Sequence, residues 1–432
     1  MIKKKYIFYI IIIVTIISII ISSTFLFSNK ELEMRINDVN VQEISSDQIK
    51  EDLDVLVEAI KNTGTDYIVD QRVFNFDIED FKNKLYKKNK GEYTVRNLYE
   101  VSKDVLPNKN RHTRLMEPKE ILTNKTSLYS EKLESRKMRY ETITIEKNES
   151  LNKMLNKSAG ISNYKNDFFT SSLSNSANGI PTMKILEEGK TAYIKFPTFS
   201  INDSYKIPMS YFIEEIKDYD YLIIDILGNT GGKIEPWHDL MSELTSTDLY
   251  MEFYVGYRDT EIAKIVKDEA LEGKATKGAP GFENLEFEEV QSLPKTMDNI
   301  NQEDISKLKY YLKIKDKIEA KKENSFNGKI YLLIDNKCFS SADLFAHYVK
   351  YTKFATIVGS PAAGDGTGGI GYLYFPFPNS GFIYQIQCAY GFNDDGSSNF
   401  ESGTEPDIVA ARNKELDYVL NEIKKTEVSP KK

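Results

Sequence analysis

Three short and almost uninterrupted apolar runs dominate the second half of this chain: Ala192-Tyr193-Ile194-Lys195-Phe196, Tyr221-Leu222-Ile223-Ile224-Asp225-Ile226 and Lys329-Ile330-Tyr331-Leu332-Leu333-Ile334. Runs of this length without polar alternation read as strands buried on both faces, and the helical spacings between them supply the cover such strands require. The stretch 182–412 is therefore expected to be an α/β core. An excursion over 250–327 interrupts it as a cap-like insertion. Within that excursion Ile305, Leu308, Tyr311, Leu312 and Ile318 predict a charged helix from Gln302 to Lys322, either a lid over a cleft or a solvated surface helix.

Upstream, Leu53, Leu56, Val57 and Ile60 recur at three and four residues, so 31–115 is expected to be a helical N-terminal domain. A polar segment over 116–181 reads as a linker or irregular face, and 413–432 as a charged C-terminal helix and tail. The amino terminus sets the compartment. Lys3-Lys4-Lys5 precede an apolar run from Tyr6 to Phe27, about 22 residues and long enough to span a bilayer as a transmembrane helix. Lysines on that flank stay cytoplasmic, which puts the rest of the chain outside the cell membrane as a single-pass protein. The run exceeds a signal-peptide core and no small-x-small site follows, so an uncleaved anchor over 1–28 is expected; cleavage would make the protein secreted.

Composition narrows the chemistry. Lys and Arg number 57 against 65 Asp and Glu, a net charge of −8, so nucleic acid is not an expected partner. Two cysteines and three histidines, with no HExxH arrangement, disfavour a zinc site, and no cofactor is expected. Three places in the core carry information. Asp225-Ile226-Leu227-Gly228-Asn229-Thr230-Gly231-Gly232 follows a strand; its free N–H groups suit a phosphate or an oxyanion, and a plain tight turn explains the glycines equally. In Asp335-Asn336-Lys337-Cys338-Phe339-Ser340-Ser341-Ala342-Asp343 a strand gives way to a helix near Ser340. A nucleophile is well placed there, and so is an ordinary N-cap serine. The third is the glycine-rich loop Val358 to Gly369.

Taken together, these blocks and Glu401-Ser402-Gly403-Thr404-Glu405-Pro406-Asp407 resemble, in order and spacing, the tail-specific serine peptidases, which comprise the C-terminal processing proteases and tricorn-type enzymes. The resemblance covers about Thr182 to Arg412. It implies a ClpP/crotonase-like α/β core in which Ser340 is the nucleophile, with an oxyanion hole from the backbone N–H of Ser341 and of Gly231 or Gly232. No PDZ-like module is recognisable between Leu115 and Thr182.

The chain also departs from that pattern. Where the processing proteases carry a lysine base, 25 residues after the nucleophile, this chain has Asp365 in Gly364-Asp365-Gly366-Thr367. A carboxylate with an ordinary pKa of about 4 is a poor base for a serine hydroxyl. The tricorn-type branch implies another solution, a histidine upstream of the core and a glutamate near its end, matched here by His112 and Glu401. His347 lies about 10 Å along a helix from Ser340, too far to take its proton, and His238 reads as a packed side chain. The expectation is a membrane-anchored extracytoplasmic serine endopeptidase acting on peptide or protein substrates. The alternatives are an inactive peptide-binding scaffold, prompted by Asp365, and a crotonase-like acyl-CoA enzyme, which the anchor argues against.

Overall fold

The computed structural model describes residues 43–89, 98, 112–116, 180–261, 263–264, 282–321, 325–368 and 372–428. The expected anchor over 1–28 lies outside these residues, as does nearly all of the segment 116–181 with its judgement on a PDZ module. No helix among the described residues is long and apolar enough to cross a membrane.

The central sheet contains β2 (Thr182–Glu187), β3 (Thr191–Lys195), β4 (Tyr221–Asp225), β8 (Lys329–Ile334), β9 (Thr356–Gly359) and β13 (Ile408–Val409), in the order β13-β9-β8-β4-β3-β2. All its neighbours are parallel except β2 with β3. The apolar runs are continuous because both faces are covered. On one face Leu222 and Ile224 join residues of α4 (Lys206–Ile216), α5 (Glu235–Leu244) and α7 (Ser341–Thr352); on the other Ile223 meets Val419 and Ile423 of α8 (Glu415–Val428).

Two antiparallel sheets flank this core. One, in the order β12-β5-β7-β6, is built from β5 (Leu249–Tyr257), β6 (Phe282–Glu289), β7 (Tyr310–Ile318) and β12 (Tyr390–Phe392). Here the expected helix from Gln302 to Lys322 is corrected: only the short α6 (Gln302–Ser306) is helical, and the rest is β7. Leu312, Ile314, Asp316 and Ile318 are buried while Lys313, Lys315 and Lys317 between them are less so, a period of two that fits a half-covered strand. The supposed helical stripe was a coincidence of spacing.

The third sheet, β1-β11-β10, joins the N-terminal segment to the core through β1 (Arg114–Leu115), β10 (Tyr372–Pro376) and β11 (Ile383–Gln387). Helices α1 (Ser46–Thr63), α2 (Asp66–Phe74) and α3 (Ile78–Asn89) lie alongside it, and Leu53, Leu56 and Ile60 share a core with Phe382, Ile383 and Tyr384. A capping box starts α1: Ser45 Oγ accepts the Gln48 N–H and Gln48 Oε1 accepts that of Ser45. Pairing of Arg114 with Gln385 and of Leu115 with Tyr384 then fixes where the residues just before β1 must go.

Candidate active site

Ser340 stands at the turn between β8 and α7. Its φ is 56° and ψ −125°, a conformation rarely open to a residue with a Cβ. Two neighbouring loops impose it, for the Ser340 N–H donates to the Gly364 carbonyl at 3.1 Å and the Phe339 N–H to that of Asn229 at 3.3 Å. The side chain makes no capping hydrogen bond, so the N-cap alternative does not describe it. Instead Ser340 Oγ lies 3.1 Å from His112 Nε2.

His112 reaches this position from just ahead of β1. Gln385 Nε2 donates to the His112 carbonyl at 2.7 Å, and the ring stacks on Phe339 at a centroid distance of 4.9 Å. On its other side His112 Nδ1 is 2.7 Å from Asp365 Oδ2. Glu401, expected to orient the histidine, is elsewhere: its carboxylate pairs with Arg72 at 2.5 Å, beside the ion pair of Arg72 with buried Asp304 at 3.0 Å. The carboxylate on His112 is thus Asp365, the residue in the lysine position. The sequence reading weighed it as a base and missed this use; the available signal was an acidic residue between two glycines of the third loop.

The oxyanion donors also need one correction. The Gly231 N–H is taken by Asn229 Oδ1 at 2.8 Å and is not free for a ligand. The N–H groups of Gly232 and of Ser341 have no acceptor among the described residues. Gly231 matters by its size: a Cβ there would stand 2.6 Å from the Phe339 carbonyl oxygen and 3.0 Å from the Ser341 nitrogen, so only glycine lets the loop approach the turn. The approach is pinned by Ser341 Oγ, which donates to the Lys233 carbonyl at 2.8 Å and accepts from Trp237 Nε1 at 3.0 Å.

Beneath these groups lies Asp343, fully buried in the first turn of α7. Its carboxylate accepts from the N–H of Thr404 at 2.8 Å and of Gly366 at 3.2 Å, and from Asn399 Nδ2 at 3.0 Å. One side chain thereby holds the Asp365 loop and the 399–404 loop against the helix that carries Ser340. Burial nevertheless pushes the Asp343 carboxyl above its ordinary range. The other two histidines are outside the relay: His238 Nε2 is 3.0 Å from Asp316 and His347 Nε2 is 3.3 Å from Asp394. Cys338 and Cys388 are buried and not disulfide-linked, and among the described residues no group of side chains is arranged to hold a metal ion.

The model of peptidase family S41 matches residues 190–410. Among solved structures, mature CPAF superposes with a TM-score of 0.50 at 14% identity, over 88% of this chain and 97% of that one. Its complex with lactacystin gives a TM-score of 0.50 at 14% identity, over 89% and 98%. A lipoprotein from Streptococcus agalactiae is similar at a TM-score of 0.41 and 13% identity, over 89% and 98%, too weakly to carry an argument. At these identities the likeness is one of fold. No curated protein matches the chain.

Proposed function

Because the chain belongs to peptidase family S41, we propose that it is an active serine endopeptidase cleaving peptides or proteins outside the cell, held to the membrane by its amino-terminal apolar segment. One observation carries the catalytic part: His112 lies between Ser340 Oγ and Asp365 Oδ2, at 3.1 and 2.7 Å, and so can pass a proton while remaining paired. The location rests on Lys3-Lys4-Lys5 and the apolar run behind them. A ClpP/crotonase-like arrangement of the core belongs to the same reading, supported by the parallel order of β3, β4, β8 and β9.

The reaction follows from these groups. Ser340 Oγ attacks the peptide carbonyl carbon as its proton passes to His112 Nε2. The carbonyl oxygen gains the charge and takes hydrogen bonds from the N–H groups of Gly232 and Ser341. Asp365 remains ionised, fixes the Nδ1–H tautomer and stabilises the imidazolium. The C–N bond then breaks with the His112 proton delivered to the amine, leaving an ester on Ser340. Water attacks that ester by the same route in reverse and regenerates the enzyme. An inactive scaffold was suggested by a carboxylate where a base was expected; the contact of Asp365 with His112 supports the active reading instead.

The test is fluorophosphonate labelling of the full chain in membranes, alongside peptide hydrolysis. Ser340→Ala should abolish both. Asp365→Asn, which favours the wrong tautomer, should slow them by about 10⁴-fold. Glu401→Gln touches a partly exposed ion pair and should stay within about fivefold of the parent. A parent that never labels, or a Ser340→Ala form that still does, overturns the proposal.

A further inference from the structure

Gln387 ends β11 and is buried. Its Nε2 donates to Asp365 Oδ1 at 2.5 Å and to the Ala389 carbonyl at 3.1 Å. The two oxygens of Asp365 thus divide their partners, His112 on Oδ2 and Gln387 on Oδ1. The amide's own oxygen is buried and has no hydrogen-bond partner among the described residues. Leaving such an acceptor unsatisfied is unfavourable, so something must hold the amide this way round. Turning the amide over would not help, since it would bring Oε1 against the carboxylate, acceptor to acceptor. The orientation is sustained by the short bond from the amide N–H to Asp365 Oδ1.

Two further contacts belong to the same device. A Cβ at Gly368 would lie 2.6 Å from Gln387 Nε2 and 2.7 Å from Asp365 Oδ1, so the loop is bare where this pair must fit. The backbone of Gln387 is held from both sides: its N–H donates to Thr113 Oγ1 at 2.8 Å, and its carbonyl accepts the Thr65 N–H at 3.0 Å. Two residues earlier on the strand, Gln385 holds the His112 carbonyl. One strand therefore sets both members of the His112–Asp365 pair.

We propose that Gln387 is a positioning residue for the reaction: it holds Asp365 turned so that Oδ2 receives the His112 Nδ1–H, leaving Nε2 to accept the Ser340 proton. The inference rests on the serine-peptidase reading above. Its test needs a readout independent of turnover, and the downfield Nδ1–H proton resonance of His112 in the detergent-solubilised full chain provides one, assigned by its loss in His112→Ala.

Gln387→Met keeps the volume and removes the donor. It should abolish or broaden that resonance and slow fluorophosphonate labelling by about 10- to 100-fold, the worth of one hydrogen bond to a charged group. Gly368→Ala crowds the same contact from the opposite side and should show the same pair of effects, so either variant gives the answer if the other does not fold. An unchanged resonance in a folded variant overturns the proposal, whether or not labelling slows. A parent with the resonance but no labelling would sink the peptidase reading while leaving the role of Gln387 in fixing the tautomer to be read from the variants.

Discussion

Ser340 is held in a conformation that a glycine would adopt freely, and the structure around it supplies the force. The Gly364 carbonyl takes its N–H, and Gly231 lies so close that a Cβ added to it would stand 3.0 Å from that of Ser340. Strain of this kind costs about 1–3 kcal/mol and persists where a reactive side chain must be projected from a tight turn. Ser340→Gly should therefore stabilise the protein by about 1 kcal/mol, net of the extra chain entropy glycine loses on folding. Ser340→Ala keeps the Cβ and should match the parent. Denaturant midpoints at constant m-value would measure the order, and equal midpoints for the glycine and alanine forms would show the turn to be relaxed. Ser340 was legible because a strand-to-helix turn with small neighbours is a local pattern. His112 was named only through the family resemblance, and Asp365 as its partner was not named at all, since the two are 253 residues apart and nothing local to either announces the bond. Glu401 was misassigned for the same reason: its partner Arg72 lies in a helix no nearby motif could connect to it.

Among the elements, β3, β4 and β8 of the central sheet were readable because burial on both faces leaves an unbroken apolar run. Strand β7 was not, because alternating lysines over a half-covered strand satisfied a helical spacing as well. Strands β10 to β12 escaped notice; Gln385 and Gln387 within β11 are buried polar residues that break any apolar pattern, and they are buried because they hold the site. The sheet they belong to is clipped to α1 through Asp52, whose carboxylate accepts from the N–H of Asn379 at 2.8 Å and of Ser380 at 2.9 Å in the turn between β10 and β11. Burial raises the Asp52 carboxyl above its ordinary 3.8, outweighing the donors from Ser380 and Asn379. A raised carboxyl binds its proton more tightly folded than unfolded, so the resulting stability is complete below pH 3.8 and is lost as pH rises through the elevated value. Melting the parent and Asp52→Asn across that window should show the parent losing stability relative to the variant as pH climbs. A difference independent of pH would mean that Asp52 titrates normally.

At the scale of the whole molecule, no single sheet contains the site. Ser340 comes from the central sheet and its helix, His112 from the edge of β1-β11-β10, and Asp365 from a loop that Asp343, Asn399 and Thr404 hold in place. Long-range pairings of this sort form late, because chain closure must precede the contacts that reward it. In refolding from denaturant, labelling of Ser340 should lag the recovery of far-ultraviolet circular dichroism; coincident traces would show that the relay is present as soon as the helices and strands are. The 399–404 loop gives that lag a direction during biosynthesis. A chain emerging from the ribosome presents His112 early and Ser340 much later, yet the loop that braces Asp365 is made later still. Under the proposed function the nascent chain would carry an incomplete site for most of its synthesis, a latency that would come from the order of the chain and require no inhibitor.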